Sequence, residues 1–277
     1  MSRYEDVEKH VDRLRLRKRE PRLKDKDLFE TVEEVFDKRT VLTIIELQRR
    51  KCLRTLKGVV SAGKEARVYW GKSYSGEDLA VKIYLTATAE FKKSIWKYIR
   101  GDPRFEGIGK LPTKKLMELW ARKEFGNLKR MYEAGVRVPR PICHFRNVVI
   151  MEFIGIEGKR APLLKEYHEA GALDEAEAYY IFNKVIEYIK LMYLKADLVH
   201  GDLSEYNVMI FNGEPIIIDV SQAVRLDHPN AHNFLWRDIK NIVRFFSEEV
   251  GIDVPNEEEV YKAITSHIAG EENKEQS

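Results

Sequence analysis

Apolar residues recur along this chain in two rhythms, and the switches between them mark its parts. From Thr31 to Leu53 the positions Val32, Val35, Phe36, Val41, Leu42, Ile45 and Leu47 fall at helical spacing, which predicts an amphipathic helix. Between Gly58 and Tyr84 the runs Val59-Val60, Ala66–Trp70 and Leu79–Tyr84 are divided by turn-forming residues at Ser61–Lys64 and Ser73–Gly76, which predicts three short strands. Helical spacing returns over 114–134 through Leu116, Leu119, Trp120, Phe125, Leu128 and Met131. It returns again from Leu173 to Leu194 and from Phe234 to Val250. Pro139 and Pro141 resist helix, so Gly135–Pro141 reads as a connector, and Asn147–Gly155 reads as a strand emerging into a hinge. The alternative for that strand is an edge strand crossing into the next layer. Val208–Phe211 and Pro215–Ile218 flank Asn212-Gly213, a turn signal that predicts a hairpin. The long, basic connection 86–113 is either a partly ordered surface segment or a lid and partner-binding loop.

These changes of rhythm divide the chain into a charged and helical extension (1–55), a sheet-rich lobe including the flexible connection 86–113 (56–154), a helical lobe (155–255) and a charged helix or tail (256–277). With 44% hydrophobic and 34% charged residues in 277, the composition is that of a soluble globular protein, and no apolar run is long enough for a bilayer span. Met1-Ser2-Arg3-Tyr4-Glu5-Asp6 does not resemble a signal peptide, so the expectation is an intracellular protein with no membrane partner. Cys52 and Cys143 are too few for a disulfide framework or a thiolate metal site, and each reads as a small buried hydrophobe. A net charge of +3 does not announce nucleic-acid binding. Local clusters within 13–26 and 92–115 are either solvated surface or a phosphate-contacting patch.

The chemistry concentrates in Leu198-Val199-His200-Gly201-Asp202-Leu203-Ser204-Glu205-Tyr206-Asn207 and in Asp219 beyond the next apolar run. A carboxylate, an amide five residues later and a second carboxylate past a buried strand suit nucleotide phosphotransfer. One carboxylate can orient the attacking oxygen while the amide oxygen and the other carboxylate hold Mg²⁺ on the phosphates. Lys82 sits inside an apolar strand, where alternation sends it either to solvent or into a cleft. In a cleft it needs a carboxylate partner, because an unpaired buried ammonium is costly. Glu118, Glu124 and Glu133 on the following helix are all available by position. The backbone around Glu152 and Ile154 can read the edge of an adenine ring.

From about Leu56 to Val250 the chain resembles the RIO family of atypical protein serine kinases, most closely its type-one branch. The resemblance rests on Ser61-Ala62-Gly63-Lys64-Glu65-Ala66, Ala80-Val81-Lys82-Ile83-Tyr84, the run from Leu198 to Asn207, and Ile218-Asp219-Val220-Ser221-Gln222. It implies an α+β, two-lobed protein-kinase-like fold with a mostly antiparallel N-terminal sheet, a helical C-terminal lobe and no usual activation segment. It also implies ATP with Mg²⁺, or Mn²⁺, as cofactors. Ser61, Ala62, Gly63, Lys64, Glu65 and Ala66 then cover the triphosphate, and Lys82 contacts it with Glu124 as partner. Asp202 takes the catalytic position, and Asn207 and Asp219 hold the metal. His200 organises the loop or transfers a proton, the first being the preferred reading, and Asp238 either braces that loop or is a surface aspartate.

Gly201 stands where ordinary protein kinases carry arginine, and no Ala-Pro-Glu follows Asp219. The family resemblance further implies a phosphoaspartate at Asp219, serine autophosphorylation with Ser94 as a candidate acceptor, and a cytoplasmic role in late maturation of the small ribosomal subunit. The immature subunit and its ribosomal RNA would be the partners. The short N-terminal region, without a winged-helix module, favours the type-one branch. Two other classes stay open: a small-molecule phosphotransferase using the same residues, and a structural assembly protein that binds ATP without turnover.

Overall fold

The computed structural model describes residues 38–63, 65–85 and 88–272, with side chains as far as 266. The first described helix, α1 (Lys38–Arg49), ends four residues before Leu53, where the helical spacing ran out. Its C-terminus is closed by hydrogen bonds from Lys51 N–H to the Gln48 carbonyl and from Cys52 N–H to the Leu47 carbonyl, with Lys51 at φ +59°. Leu53 is fully buried as the chain turns into the sheet, so an apolar residue in helical register belongs to the next element. The part of that expectation covering 31–37, like the basic cluster of 13–26, lies outside the described residues.

Five antiparallel strands form the N-terminal sheet: β1 (Thr55–Ala62), β2 (Ala66–Lys72), β3 (Asp78–Tyr84), β4 (Pro141–Phe145) and β5 (Val148–Glu152), in the order β1-β2-β3-β5-β4. β1 runs through Ser61 and Ala62, which the pattern placed in a turn. β4 falls on residues partly read as connector. Proline is tolerated there because it starts an edge strand, where its missing N–H breaks no ladder bond. β5 is consequently interior, not an edge, and its Val148, Val149 and Ile150 are completely buried. Lys82 pairs across β3 with Val68 of β2 and Val149 of β5, in the middle of the sheet.

The connection 86–113 holds regular structure among its described residues. It contains α2 (Ala89–Ile99) and a 3₁₀ turn (Pro103–Phe105). Phe91, Ile95, Tyr98 and Ile99 make one apolar stripe on α2, and lysines at 92, 93 and 97 hide that stripe in the composition. The stripe is buried, with Phe91 edge-on to Trp120 and Tyr98 against Phe234. The long helix α3 (Thr113–Glu133) then packs beside the sheet.

A two-stranded hairpin, β6 (Gly155–Ile156) and β7 (Lys159–Arg160), opens the second lobe and is followed by α4 (Leu164–Glu169) and the core helix α5 (Glu175–Leu194). β8 (Leu198–Val199) leads into the catalytic-loop candidate. β9 (Val208–Phe211) and β10 (Glu214–Ile217) form the expected hairpin around Asn212 and Gly213, both at positive φ as a type I′ turn requires. β11 (Val224–Arg225) pairs back on β8. α6 (Ala231–Arg244) ends its α-helical bonding earlier than expected and continues as a π-helical turn over Phe245–Val250. The terminal segment is a helix, α7 (Glu257–Glu272), seated through Val260 and Ile264. No helix among the described residues is long and apolar enough to cross a membrane.

The two cysteines are not separate buried hydrophobes. Both are half-buried, and they form a disulfide between the turn after α1 and strand β4, across a sequence separation of 91. Sequence spacing carried no sign of it, because only the order of strands brings these segments together.

Candidate active site

Between the lobes lies a cleft of about 600 Å³, and its walls collect residues from distant parts of the chain. Ser61, Gly63, Glu65, Ala66, Lys82, Glu124, Glu152, Ile154, Asn207 and Asp219 all line it, as do Ser221 and Gln222. Ala62, His200, Asp202 and Asp238 are not among the lining residues, and Lys64 lies outside the described residues. Val68, Ala80, Met151, Met209 and Ile218 give the inner part apolar walls. The Glu152 carboxylate is turned aside, bonded to both Arg137 guanidinium nitrogens at 2.8 and 2.9 Å and to the Arg140 N–H at 3.0 Å, so only its backbone is left for a ligand.

Lys82 is the centre of the charge network. It is 8% exposed, and its ammonium donates to Glu124 Oε1 at 2.6 Å and to Asp219 Oδ1 at 2.9 Å. Glu124, 2% exposed, also accepts from the Tyr84 hydroxyl at 2.7 Å, and Asp219 accepts from the Ser221 hydroxyl at 3.0 Å. Burial works against the Lys82 cation, but the flanking Asp219 and Glu124 carboxylates reverse that and raise its pKa well above the usual lysine value. Burial raises Glu124 despite Lys82. Loss of hydration in the cleft opposes ionised Asp219, although its side chain stays 48% exposed, yet Lys82 and the Ser221 hydroxyl hold its carboxyl below the usual range. Asp219 sits at φ +55°, ψ +58°, a left-handed backbone that costs a non-glycine residue about 1–2 kcal/mol and that this network sustains.

The catalytic-loop candidate is held from beneath. Asp238, on α6 and 1% exposed, accepts from Gly201 N–H at 2.7 Å and from Leu203 N–H at 2.9 Å. Gly201 reaches this geometry at φ +80°, while its carbonyl accepts from Arg237. Burial pushes the Asp238 carboxyl up to about 7, against those two N–H donors. Asn207 donates from its side-chain nitrogen to the Asp202 carbonyl at 2.7 Å, which leaves its Oδ1 as the free acceptor type that a hard cation needs. Asn207 also lies beside Asp219 in the chain's path, since the Ile218 N–H donates to the Asn207 carbonyl at 3.0 Å. No group of three or more His, Cys, Asp or Glu side chains suited to a metal occurs among the described residues. One amide and one carboxylate nevertheless fit Mg²⁺, which keeps waters and phosphate oxygens as its other ligands. The Asp202 carboxylate accepts from Gln222 Nε2 at 2.9 Å, and burial, partly offset by Arg237, raises its pKa.

His200, 1% exposed, bonds through Nε2 to the Ile218 carbonyl at 3.1 Å and accepts at Nδ1 from the Asp202 N–H at 3.3 Å. Those bonds describe a neutral ring with its proton on Nε2, and burial lowers its pKa to about 4. A free histidine titrates near about 6.5, so as pH falls from there to about 4 the unfolded chain gains the proton first, and stability on the order of 3 kcal/mol is lost. Asp238 has the opposite sign, because its raised pKa adds stability that is lost as pH rises through about 7. Comparing wild type with His200→Asn isolates the histidine: the variant's Tm is expected to fall less between pH 6.5 and 4.5, about the interval of the shift. Parallel curves in thermal melts would show that His200 is not the neutral group described.

Several residues here had no assigned role in the sequence. Tyr84 stands two positions from Lys82 on the same strand face, a period-two signal that could have found it. Ser221 and Gln222 directly follow Asp219 and were legible only as a motif. Asn127, one helical turn beyond Glu124, and Lys123 bond the backbone after Asp219. Arg104 and Asp102, in the connection, carried no signal.

Known proteins resemble this chain along most of its length. A RIO domain family model matches residues 67–260. The chain is 41% identical over 244 residues to the RIO-type serine/threonine-protein kinase Rio1 of Haloferax volcanii, covering 88% of this chain and 80% of that protein. It is 41% identical over 238 residues to Rio1 of Methanocaldococcus jannaschii, covering 85% and 77%. Among solved structures, the Rio2 kinase-ADP/Mg2+-phosphoaspartate complex from Chaetomium thermophilum superposes with a TM-score of 0.60 at 24% identity, covering 80% of this chain and 65% of that one. That likeness shows a shared protein-kinase-like fold. With a family match running from β2 into α7, and with relatives of the same branch matching along most of its length, the chain belongs to the RIO family of atypical serine/threonine-protein kinases, in its Rio1 branch.

Proposed function

We propose that this protein is a Mg²⁺-dependent ATPase and serine kinase acting in late maturation of the small ribosomal subunit in the cytoplasm. The observation that carries the catalytic part is the Lys82 ammonium held between Glu124 and Asp219 in the interlobe cleft. The apolar inner walls suit an adenine ring, with the backbone at Glu152 and Ile154 beside it. The β1–β2 loop from Ser61 to Ala66 covers the phosphates, and Lys82 neutralises charge on them. Mg²⁺, when bound with the nucleotide at Asn207 and Asp219, supplies further neutralisation there. Asp202 orients the attacking oxygen of a serine or of water.

The low pKa direction of Asp219 keeps it anionic, which also suits it as a phosphoryl acceptor. Its oxygen would form a bond to the γ-phosphorus as the bond to ADP breaks, and water would then release phosphate and restore the carboxylate. Ser94 lines the same cleft and is the candidate serine acceptor. Exposed cations at Lys93, Lys97, Arg100 and Lys110 form a surface suited to RNA phosphates, which supports the immature small subunit as partner.

The test is ATP turnover by the purified chain, with and without Mg²⁺ and immature small-subunit particles, while trapping acid-labile protein phosphate. Particle-stimulated turnover with phosphate on Asp219 is the expected result. Tight binding of nucleotide and particle without turnover would overturn the enzymatic reading and leave a structural role.

A further inference from the structure

The backbone that follows Asp219 is held by a chain of contacts that starts in the connection between α2 and α3. The carbonyls of Val220, Ser221 and Ala223 point at α3, where buried acceptors require donors. Asn127 Nδ2 donates to the Val220 carbonyl at 2.8 Å and to the Ala223 carbonyl at 3.0 Å. Lys123 Nζ donates to the Ser221 carbonyl at 2.9 Å and also to that of Ala223. An amide can do this only one way round, since rotating Asn127 by half a turn would set its oxygen against two carbonyl oxygens.

Arg104 settles that choice. Its Nη1 donates to Asn127 Oδ1 at 2.6 Å, so the amide nitrogen is committed to the turn. The guanidinium is itself locked by Asp102, with Nε to Oδ1 at 2.9 Å and Nη2 to Oδ2 at 2.6 Å, and Asp102 is 1% exposed. The turn so fixed carries three side chains that act in the cleft. Asp219 begins it, Ser221 donates to Asp219 Oδ1 at 3.0 Å, and Gln222 donates to Asp202 Oδ2 at 2.9 Å. A slip of this turn therefore displaces both functional carboxylates together.

We propose that Arg104 is a positioning residue for phosphoryl transfer: acting through Asn127, it sets the 220–223 turn so that Asp219 meets the nucleotide-bound cation and Gln222 aims Asp202. This rests on the reading of Asp219 as a cation ligand. The connection 86–113 thereby acts on the reaction from behind the cleft, independently of any motion over its mouth.

The experiment measures binding of a fluorescent ADP analogue with and without Mg²⁺, together with kcat and KM for ATP, in the full chain. Arg104→Ala is expected to leave metal-free affinity within about twofold of wild type, since it touches no nucleotide group, while losing roughly fivefold or more of the gain conferred by Mg²⁺. Its kcat is expected to fall on the order of 10–100-fold, the scale of a misplaced catalytic group. Arg104→Lys keeps a cation beside Asp102 and so guards against simple unfolding. It is expected to keep the wild-type Tm and still lose the Mg²⁺ gain, because an ammonium lacks the fork that spans Asp102 and Asn127. A full Mg²⁺ gain and full kcat in both variants would overturn the assignment, as would metal-free affinity falling in step with Tm. A wild-type chain showing no Mg²⁺ gain would overturn the cation reading of Asp219 itself, and this proposal with it.

Discussion

Replacing Asp202 with alanine is expected to lower ATP turnover by roughly 10²–10⁴-fold, the usual scale for a positioned acid–base group, while leaving the fold intact. The fold should survive because the loop around it is built from backbone and from other side chains. The Asp202 N–H meets His200, its carbonyl meets Asn207, and Asp238 holds the N–H groups on either side. Its carboxylate makes one side-chain hydrogen bond, to Gln222, so truncation leaves one amide unpaired at a cost of about 1 kcal/mol. Nucleotide affinity should also persist, since Lys82, Asn207 and Asp219 keep their partners. The signature is therefore a fall in kcat with little change in KM, as expected when an interaction made in the transition state is removed. Steady-state kinetics beside a thermal melt separates this from unfolding. Unchanged turnover in a folded variant would mean that another group orients the attacking oxygen.

Reduction of the Cys52–Cys143 disulfide is the second large effect, and it acts on stability. The bond joins the turn that leads into β1 to β4, and β1 and β4 are the two edge strands of the sheet. The closed loop has a sequence separation of 91 and contains β1, β2, β3, α2 and α3. In the chain-entropy model, opening a loop of that size releases about 4–5 kcal/mol of unfolded-state restriction. For a chain of this size the expected fall in Tm is on the order of 10 °C. Beside the bond, the Arg50 guanidinium lies 4.1 Å from the centre of the Phe145 ring, a contact that does not depend on the bond. Thiol titration should detect two free thiols only after reduction, and a Cys52→Ser, Cys143→Ser variant should melt like the reduced protein. A Tm indifferent to reductant would sink this prediction. Lys82 and Glu124 both lie inside the loop, so turnover should suffer mainly at temperatures near the lowered Tm.

How much of this protein could be read from the chain depends on the range of the interaction. Strand alternation placed β2 and β3, helical spacing placed α3, α5 and α6, and Asn212-Gly213 placed the β9–β10 hairpin, because each is set by neighbours within a few residues. The residues proposed for phosphotransfer were nameable for the same reason: Asp202 and Asn207 share one loop, and Asp219 lies two residues beyond β10. α2 escaped because its buried stripe is interrupted by lysines that a composition-based reading takes for surface. β4 escaped because Pro139 and Pro141 argue locally for a connector, and only its place at the start of an edge strand makes Pro141 harmless.

Tertiary structure decided which of several acidic residues Lys82 meets. Glu118, Glu124 and Glu133 share a helix, but one helical face is turned to β3, and Glu124 is the one buried there. It decided that Asp238 lies under the catalytic loop, that the two cysteines meet, and that Arg104 acts on the turn after Asp219 from a residue separation of 119. None of these follows from spacing, since each depends on chain segments brought together by burial of their apolar faces. Local periodicity thus determined the elements and the residue types available for chemistry, whereas packing determined which charges are desolvated together and so which of them can act as one site.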